Sequence, residues 1–239
     1  MKTYEYVFDY FSEQILSGSL KINEKIPTER EIAEKLGVSR NSVREVMHML
    51  EISGLIECLQ GSGNYVRCDT NEYMMRTSKM VMALLGINYT ELFYLRKGYE
   101  LVALERAMEE IQPDELNQMH EILVEMDETA GPKESAVLDV RFHSILLQAS
   151  HNRLLNLYAG MLSDLLDQFI KDFRFRILVD KKRAEALRRS HWGIYHALVH
   201  KDFEAGQDAL QRHFEIIEEQ LKKYGDTTKT DLHRRDPVV

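Results

Sequence analysis

Between Pro27 and Val66 the chain reads PTEREIAEKLGVSRNSVREVMHMLEISGLIECLQGSGNYV, and few folds accommodate that order of signals. Thr28 can cap a helix, with Glu31 three residues on to complete a capping box, and Ile32, Ala33 and Leu36 follow at helical spacing. Gly37 ends that helix. Val38 buries the turn, Ser39 can cap a second helix, and Val43, Val46, Met47 and Leu50 give it a core-facing stripe. Leu55 to Leu59 and Tyr65 to Arg67 then read as two strands joined by Gln60-Gly61-Ser62-Gly63-Asn64, small residues that permit positive φ and close backbone approach. Helix, turn, helix and hairpin in this order are the pattern of a winged helix-turn-helix domain. The start of the second helix is left polar: Arg40, Asn41, Ser42 and Arg44 stand in or near its first turn, where such a domain presents side chains to base edges and free amides to phosphate. The plainer reading is a solvated helical hairpin whose arginines pair with Glu31, Glu34 and Glu45.

Net charge bears on that choice. The chain carries −8 at neutral pH, and residues 1–68 hold ten acids against eight bases, whereas phosphate binding needs local positive charge. Arg30, Arg40, Arg44 and Arg67 nevertheless fall in the elements that would face DNA, and distribution outranks the sum. Modest affinity per domain follows, and with it a need for two domains on one operator. With 44% hydrophobic and 29% charged residues among 239, the chain is globular and long enough for two domains. Its apolar runs fall far short of the ~20 residues that span a bilayer, and MKTYEYVFDY lacks a secretory pattern. A cytoplasmic protein without membrane contact is expected, with Cys58 and Cys68 as free thiols.

Residues from about 10 to 68 resemble the DNA-binding domain of GntR-family bacterial transcription regulators. The motifs that carry the resemblance are Ile26 to Arg30, Val38 to Arg40, Val43 to Glu45, Gly54 to Ile56 and Gly61 to Gly63. It implies that Arg30, Ser39, Arg40, Asn41, Ser42 and Arg44 meet double-stranded operator DNA, with Gly61 and its wing neighbours on the minor groove. Where many relatives have Thr-Pro after the turn arginine this chain has Asn41-Ser42, so the operator sequence does not carry over.

From Asn71 onward the pattern is almost wholly helical. Residues 70–86 read as a Met-rich connecting helix, followed by helices over 89–111, 113–129, 134–150, 153–178, 180–200 and 202–224. The fold class expected is therefore mostly α: a winged helix-turn-helix domain over 1–69, an all-helical antiparallel bundle over 70–224, and a polar, aperiodic tail over 225–239 expected to be disordered.

Chemistry in the second domain centres on polar residues that point inward. Asp139 and His143 stand one turn apart in LDVRFHSILL, flanked by Val140, Phe142, Leu146 and Leu147. A carboxylate buried beside an imidazole is costly unless paired, and a divalent cation would satisfy both. His191 lies on the stripe Leu187, Ile194, Tyr195, Leu198, and His213 on the stripe Leu210, Phe214, Ile217, Leu221. Three helices thus offer four ligands. Each histidine taken singly is more often a hydrogen-bonded core residue, and His196 with His200, also four apart, reads as a solvated face.

A second resemblance, over about 70–224, selects among these. Asp-x-x-x-His, a later Ser-His-x-x-Ile and a His on the last helix resemble the metal-binding FCD effector domain of the FadR subfamily, matched by Asp139, His143, His191 and His213. It implies a bundle around a pocket, a metal at its base and a carboxylate effector completing coordination. Arg96 matches an arginine that faces the effector in relatives; the alternative is an ion pair with Glu100 one turn on. Three nitrogens and one oxygen suit zinc, nickel, cobalt or manganese, and zinc is expected in a purified sample. A polar pocket floor favours a small organic acid over a fatty acyl chain. The function expected is a ligand-responsive, homodimeric regulator on a pseudo-palindromic operator. The alternatives are a metal-dependent hydrolase, for which no general base is evident beside the ligands, and a metal sensor or purely structural metal.

Overall fold

A computed structural model describes residues 2–129 and 131–224. The tail over 225–239 that the sequence suggests is disordered lies outside the described residues. The chain divides into two compact units whose boundary falls after Thr77.

The first unit contains α1 (Thr3–Leu16), α2 (Glu29–Leu36), α3 (Arg40–Ile52), β1 (Ile56–Leu59) and β2 (Gly63–Val66). The capping box at the start of α2 forms as its spacing suggests: Thr28 accepts from the Glu31 amide and Glu31 reaches back to the Thr28 amide at 2.7 Å. Gly37 closes α2 in the left-handed region at φ 65°, and Ser39 caps α3. Ile32, Val43, Val46 and Leu50 then meet Val7 and Phe11 of α1 in one apolar core. That helix precedes the stretch the motifs cover, and its two buried side chains complete the unit.

The wing is shifted relative to the sequence expectation. Its strands pair Ile56 with Val66 and Leu59 with Gly63, so only Gln60–Ser62 turn the chain, and Gly63 and Asn64 belong to the ladder. Arg67 lies beyond it. Gly54 makes the entry from α3 possible: its φ is +74°, and a Cβ there would stand 1.9 Å from the Asp69 carbonyl oxygen. Cys58 and Cys68 are free and exposed.

Helix α4 (Asn71–Leu85) carries the boundary between the units, and α5 (Tyr89–Glu110), α6 (Pro113–Glu128), α7 (Pro132–Ala149), α8 (Arg153–Leu178), α9 (Lys181–His200) and α10 (Phe203–Tyr224) build the second. The punctuation is local: Asn88, Asn152 and Asp180 cap α5, α8 and α9, and Pro113 and Pro132 open α6 and α7. The helix over 134–150 thus begins two residues earlier, at a proline whose missing amide costs nothing there. Short connections lay α6 beside α7, α7 beside α8 and α9 beside α10, while α5 packs on α7 and α10. Among the described residues no helix is long and apolar enough to cross a membrane. Four helices, α5, α7, α9 and α10, thereby aim side chains at one point inside the bundle, and α8 covers them from the side.

Candidate metal centre and nucleic-acid interface

Asp139, His143, His191 and His213 are all buried, and one ligand atom from each lies within 4.8 Å of the others. The three imidazoles face one another, with ring centroids 4.7 Å apart for His143 and His213, 4.7 Å for His191 and His213, and 5.4 Å for His143 and His191. Their outer nitrogens are each committed. His191 Nδ1 donates to the Leu187 carbonyl at 2.9 Å, His143 Nδ1 to Glu100 Oε2 at 2.6 Å, and His213 Nδ1 lies 3.4 Å from Ser190 Oγ. A carbonyl oxygen can only accept, so the His191 proton sits on Nδ1 and its Nε2 carries a lone pair.

All three Nε2 atoms are buried without a hydrogen-bond partner. His191 Nε2 approaches Asp139 Oδ1 to 3.0 Å, a close approach of two electron-rich atoms outside hydrogen-bonding geometry. Orphaned buried acceptors are expensive, and a shared cation satisfies all of them at once. The donor set therefore fits a divalent transition metal, with Leu187, Glu100 and Ser190 as the outer partners that fix the rings.

The charges around this point explain how it survives burial. Burial alone would raise the Asp139 carboxyl, but the Arg174 guanidinium beside it overturns that and holds it well below the ordinary carboxylate range. Arg174 donates to Asp139 Oδ1 and, at 3.0 Å, to Ser135 Oγ. Burial likewise opposes ionisation of Glu100, and Arg96 and His143 restore it. Desolvation drives His213 well below its ordinary value and His191 down to about 4, against the pull of Asp139. Both rings are neutral near pH 7, the form that binds metal.

A pH dependence follows. Between 6.5 and about 4 the unfolded chain takes up a proton at His191 that the folded chain refuses. This stability is fully present above pH 6.5 and is lost as pH falls through the window. Urea unfolding of the metal-free protein should show about 2 kcal/mol less stability at pH 5 than at pH 7 from this group. Equal stabilities at the two values would show that His191 is not held neutral.

For Arg96 the two sequence readings turn out to be compatible. Its Nε donates to Glu100 Oε1 at 2.6 Å, so the ion pair exists. Its Nη2, however, has no hydrogen-bond partner, lies 3.8 Å from Asp139 Oδ2, and the side chain borders a cavity between α5, α7 and α8 that His143 also lines. Glu100 enters as the common partner of Arg96 and His143, a second carboxylate beside the cluster. Arg174 was legible only as a charge interrupting the stripe Leu166, Ile170, Phe173, Ile177. His196 and His200 are exposed, with His196 stacked on Trp192 and His200 Nδ1 donating to the His196 carbonyl.

On the winged unit, Arg30, Arg40, Asn41, Arg44 and Gly61 are exposed. Arg40 has no ion-pair partner among the described residues. Ser39 is occupied by its cap, accepting from the Ser42 amide at 3.1 Å, and the two hydroxyls stand 2.9 Å apart. Arg44 is gripped by Glu29 through Nε and Nη2, the latter at 2.9 Å. Arg30 meets Glu34 only at 3.8 Å. The acidic partner of Arg44 is thus Glu29 of α2, outside the three glutamates that spacing suggested.

Comparison with known proteins agrees with both units. Residues 3–66 match the model of the bacterial regulatory proteins of the gntR family, and residues 91–216 match the FCD domain. The chain is 27% identical to the HTH-type transcriptional regulator LutR of Bacillus subtilis over 88% of its own length and 97% of that protein's. It is also 27% identical to the Uxu operon transcriptional regulator of Escherichia coli, over 93% and 88% of the two chains. A solved structure of a Streptococcus agalactiae GntR shares the fold, with TM-score 0.60 and 23% identity over 91% of this chain and 99% of that one. Carrying a gntR reader at its N-terminus and an FCD domain behind it, the chain belongs to the GntR family of bacterial regulators, ligand-responsive transcription regulators and not enzymes.

Proposed function

We propose that this regulator acts as a cytoplasmic homodimer. Its winged domains, residues 1–69, read a pseudo-palindromic operator, and a small organic acid acts through a metal-containing pocket in residues 70–224. The observation that carries the reading is the convergence of three partnerless Nε2 atoms on Asp139. Asp139, His143, His191 and His213 hold a divalent transition metal, zinc in a purified sample, with nickel, cobalt and manganese also suited to the donor set. When bound, the ion supplies open coordination positions for a carboxylate.

The chain's own residues do the rest. Arg96, held in place through its Nε by Glu100, offers its spare Nη2 to the same carboxylate. On the DNA side Arg30, Ser39, Arg40, Asn41, Ser42 and Arg44 face the duplex and Gly61 lets the wing approach it. Two such units on matched half-sites offset the weak charge of each. Relatives named for the Uxu operon, the Glc operon and an L-lactate dehydrogenase operon support control of an operon. An effector that favours one arrangement of the domains changes operator affinity, and by linkage the operator changes effector affinity equally.

Elemental analysis of protein purified without a histidine tag or chelator is expected to give about one transition metal per chain. Arg96→Ala should keep that metal while operator affinity stops responding to carboxylates. Loss of metal in this variant would make Arg96 a structural member of the centre.

A further inference from the structure

The cavity between α5, α7 and α8 has a volume of about 280 Å³, just under the range of roughly 300–1,000 Å³ that houses drug-sized ligands. Its inner end holds Arg96, Glu100 and His143. Further out, α8 contributes Asn156, Gly160, Ser163 and Asp167, spaced four, three and four residues apart on one face. Ser144 and Tyr99 line the opposing walls. The side chains of Tyr99, Ser144, Asn156 and Asp167 make no hydrogen bond to any described residue. Asp167, only partly exposed, has no ion pair within 4.0 Å among the described residues, Lys171 acting on it from farther off.

Such a wall discriminates. Among the described residues that line the cavity, Arg96 is the sole lysine or arginine, so one carboxylate finds a cation and a second would face Asp167. An acyl chain would bury Asp167 and Asn156 without hydrogen bonds, which is unfavourable. Hydroxyl groups suit both, because each can donate to a carboxylate and exchange hydrogen bonds with an amide or a hydroxyl. Val140, Leu147 and Leu166 supply apolar contact for the C–H face of the same molecule.

We propose that this cavity takes a polyhydroxylated monocarboxylate of the sugar-acid type, with Arg96 at its carboxylate and Asp167 selecting its hydroxyl groups. The assignment rests on the reading of the pocket as the effector site. Desolvation raises the Asp167 carboxyl from its ordinary value against the pull of Lys171 one turn on.

The test is calorimetric titration of the full-length, metal-loaded chain with D-gluconate, D-glucuronate and D-galacturonate, against hexanoate and adipate. At least one hydroxylated acid is expected to bind at least about tenfold more tightly than either control, the value of one or more charge-assisted hydrogen bonds. Asp167→Leu should erase that preference, weakening the hydroxylated acid by about tenfold or more while leaving hexanoate unchanged or improved and metal content intact. A purely structural role for Asp167 would weaken both ligands together and overturn the proposal. Tighter binding of hexanoate or adipate, abolished by Arg96→Ala, would overturn it while leaving the effector site standing. Failure of all five acids to bind would remove the effector reading, and this assignment with it.

Discussion

Replacing His191 with alanine is expected to strip the protein of its metal while leaving the N-terminal unit folded. Loss of an outer partner of a ligand costs 10–100-fold in affinity, and loss of the ligand itself more than about 100-fold. His191 is fully buried and its Nδ1 serves the Leu187 carbonyl, so the variant also leaves a cavity and an orphaned acceptor. Roughly 2–4 kcal/mol of stability should go with it, confined to the C-terminal unit. A chelator separates the two effects. An ion that binds only the folded state raises the melting temperature by mass action, so chelation should lower the transition of the wild-type chain and leave that of His191→Ala where it is. Unchanged metal content in the variant would return the three histidines to a hydrogen-bonded core.

The second large effect falls on the other unit. Arg44→Ala should weaken operator binding by about tenfold or more, the 1–3 kcal/mol of a guanidinium fork on a base edge. The Glu29 pair does not argue against this, because Arg44 is largely in solvent and Glu29 partly so, and ion pairs this accessible contribute little. What Glu29 supplies is orientation, holding the fork through Nε and Nη2 before DNA arrives. Arg44→Lys should rescue little, since an ammonium keeps the charge and loses the fork. The salt dependence then says what Arg44 touches. If it meets phosphate, the slope of log K against log salt falls by about one per site lost; if it meets a base, the slope holds and specificity relaxes. Unchanged affinity in Arg44→Ala would take the residue off the DNA.

How much of this was legible in the residues alone depends on the range of the interaction. The helices of both units are announced locally: Thr28 with Glu31, Asn88 with Glu91, and Pro113 and Pro132 at helix starts act within one turn of themselves. The wing was legible in kind and shifted in register, because Gly63 and Asn64 read as turn residues until pairing with Leu59 and Cys58 claims them for the ladder. The four inward polar residues were visible as breaks in apolar stripes. Their convergence was not, since periodicity says that His191 and His213 point inward without saying at what, and the choice among the candidates came from a family resemblance.

Sequence by itself therefore determined the helical content, the order of the two units and which side chains leave the solvent, because capping and periodicity are set over three or four residues. Only the tertiary structure decided which polar and charged side chains meet. Glu100 bridges Arg96 to His143, Arg174 crosses from α8 to Asp139, and Glu29 of α2 takes Arg44 of α3. The physical reason is that a buried polar or charged group is tolerated only with a partner, and for His143 and Asp139 that partner comes from another helix, as it does at the surface for Arg44. Sequence spacing does not encode such pairs, and packing does.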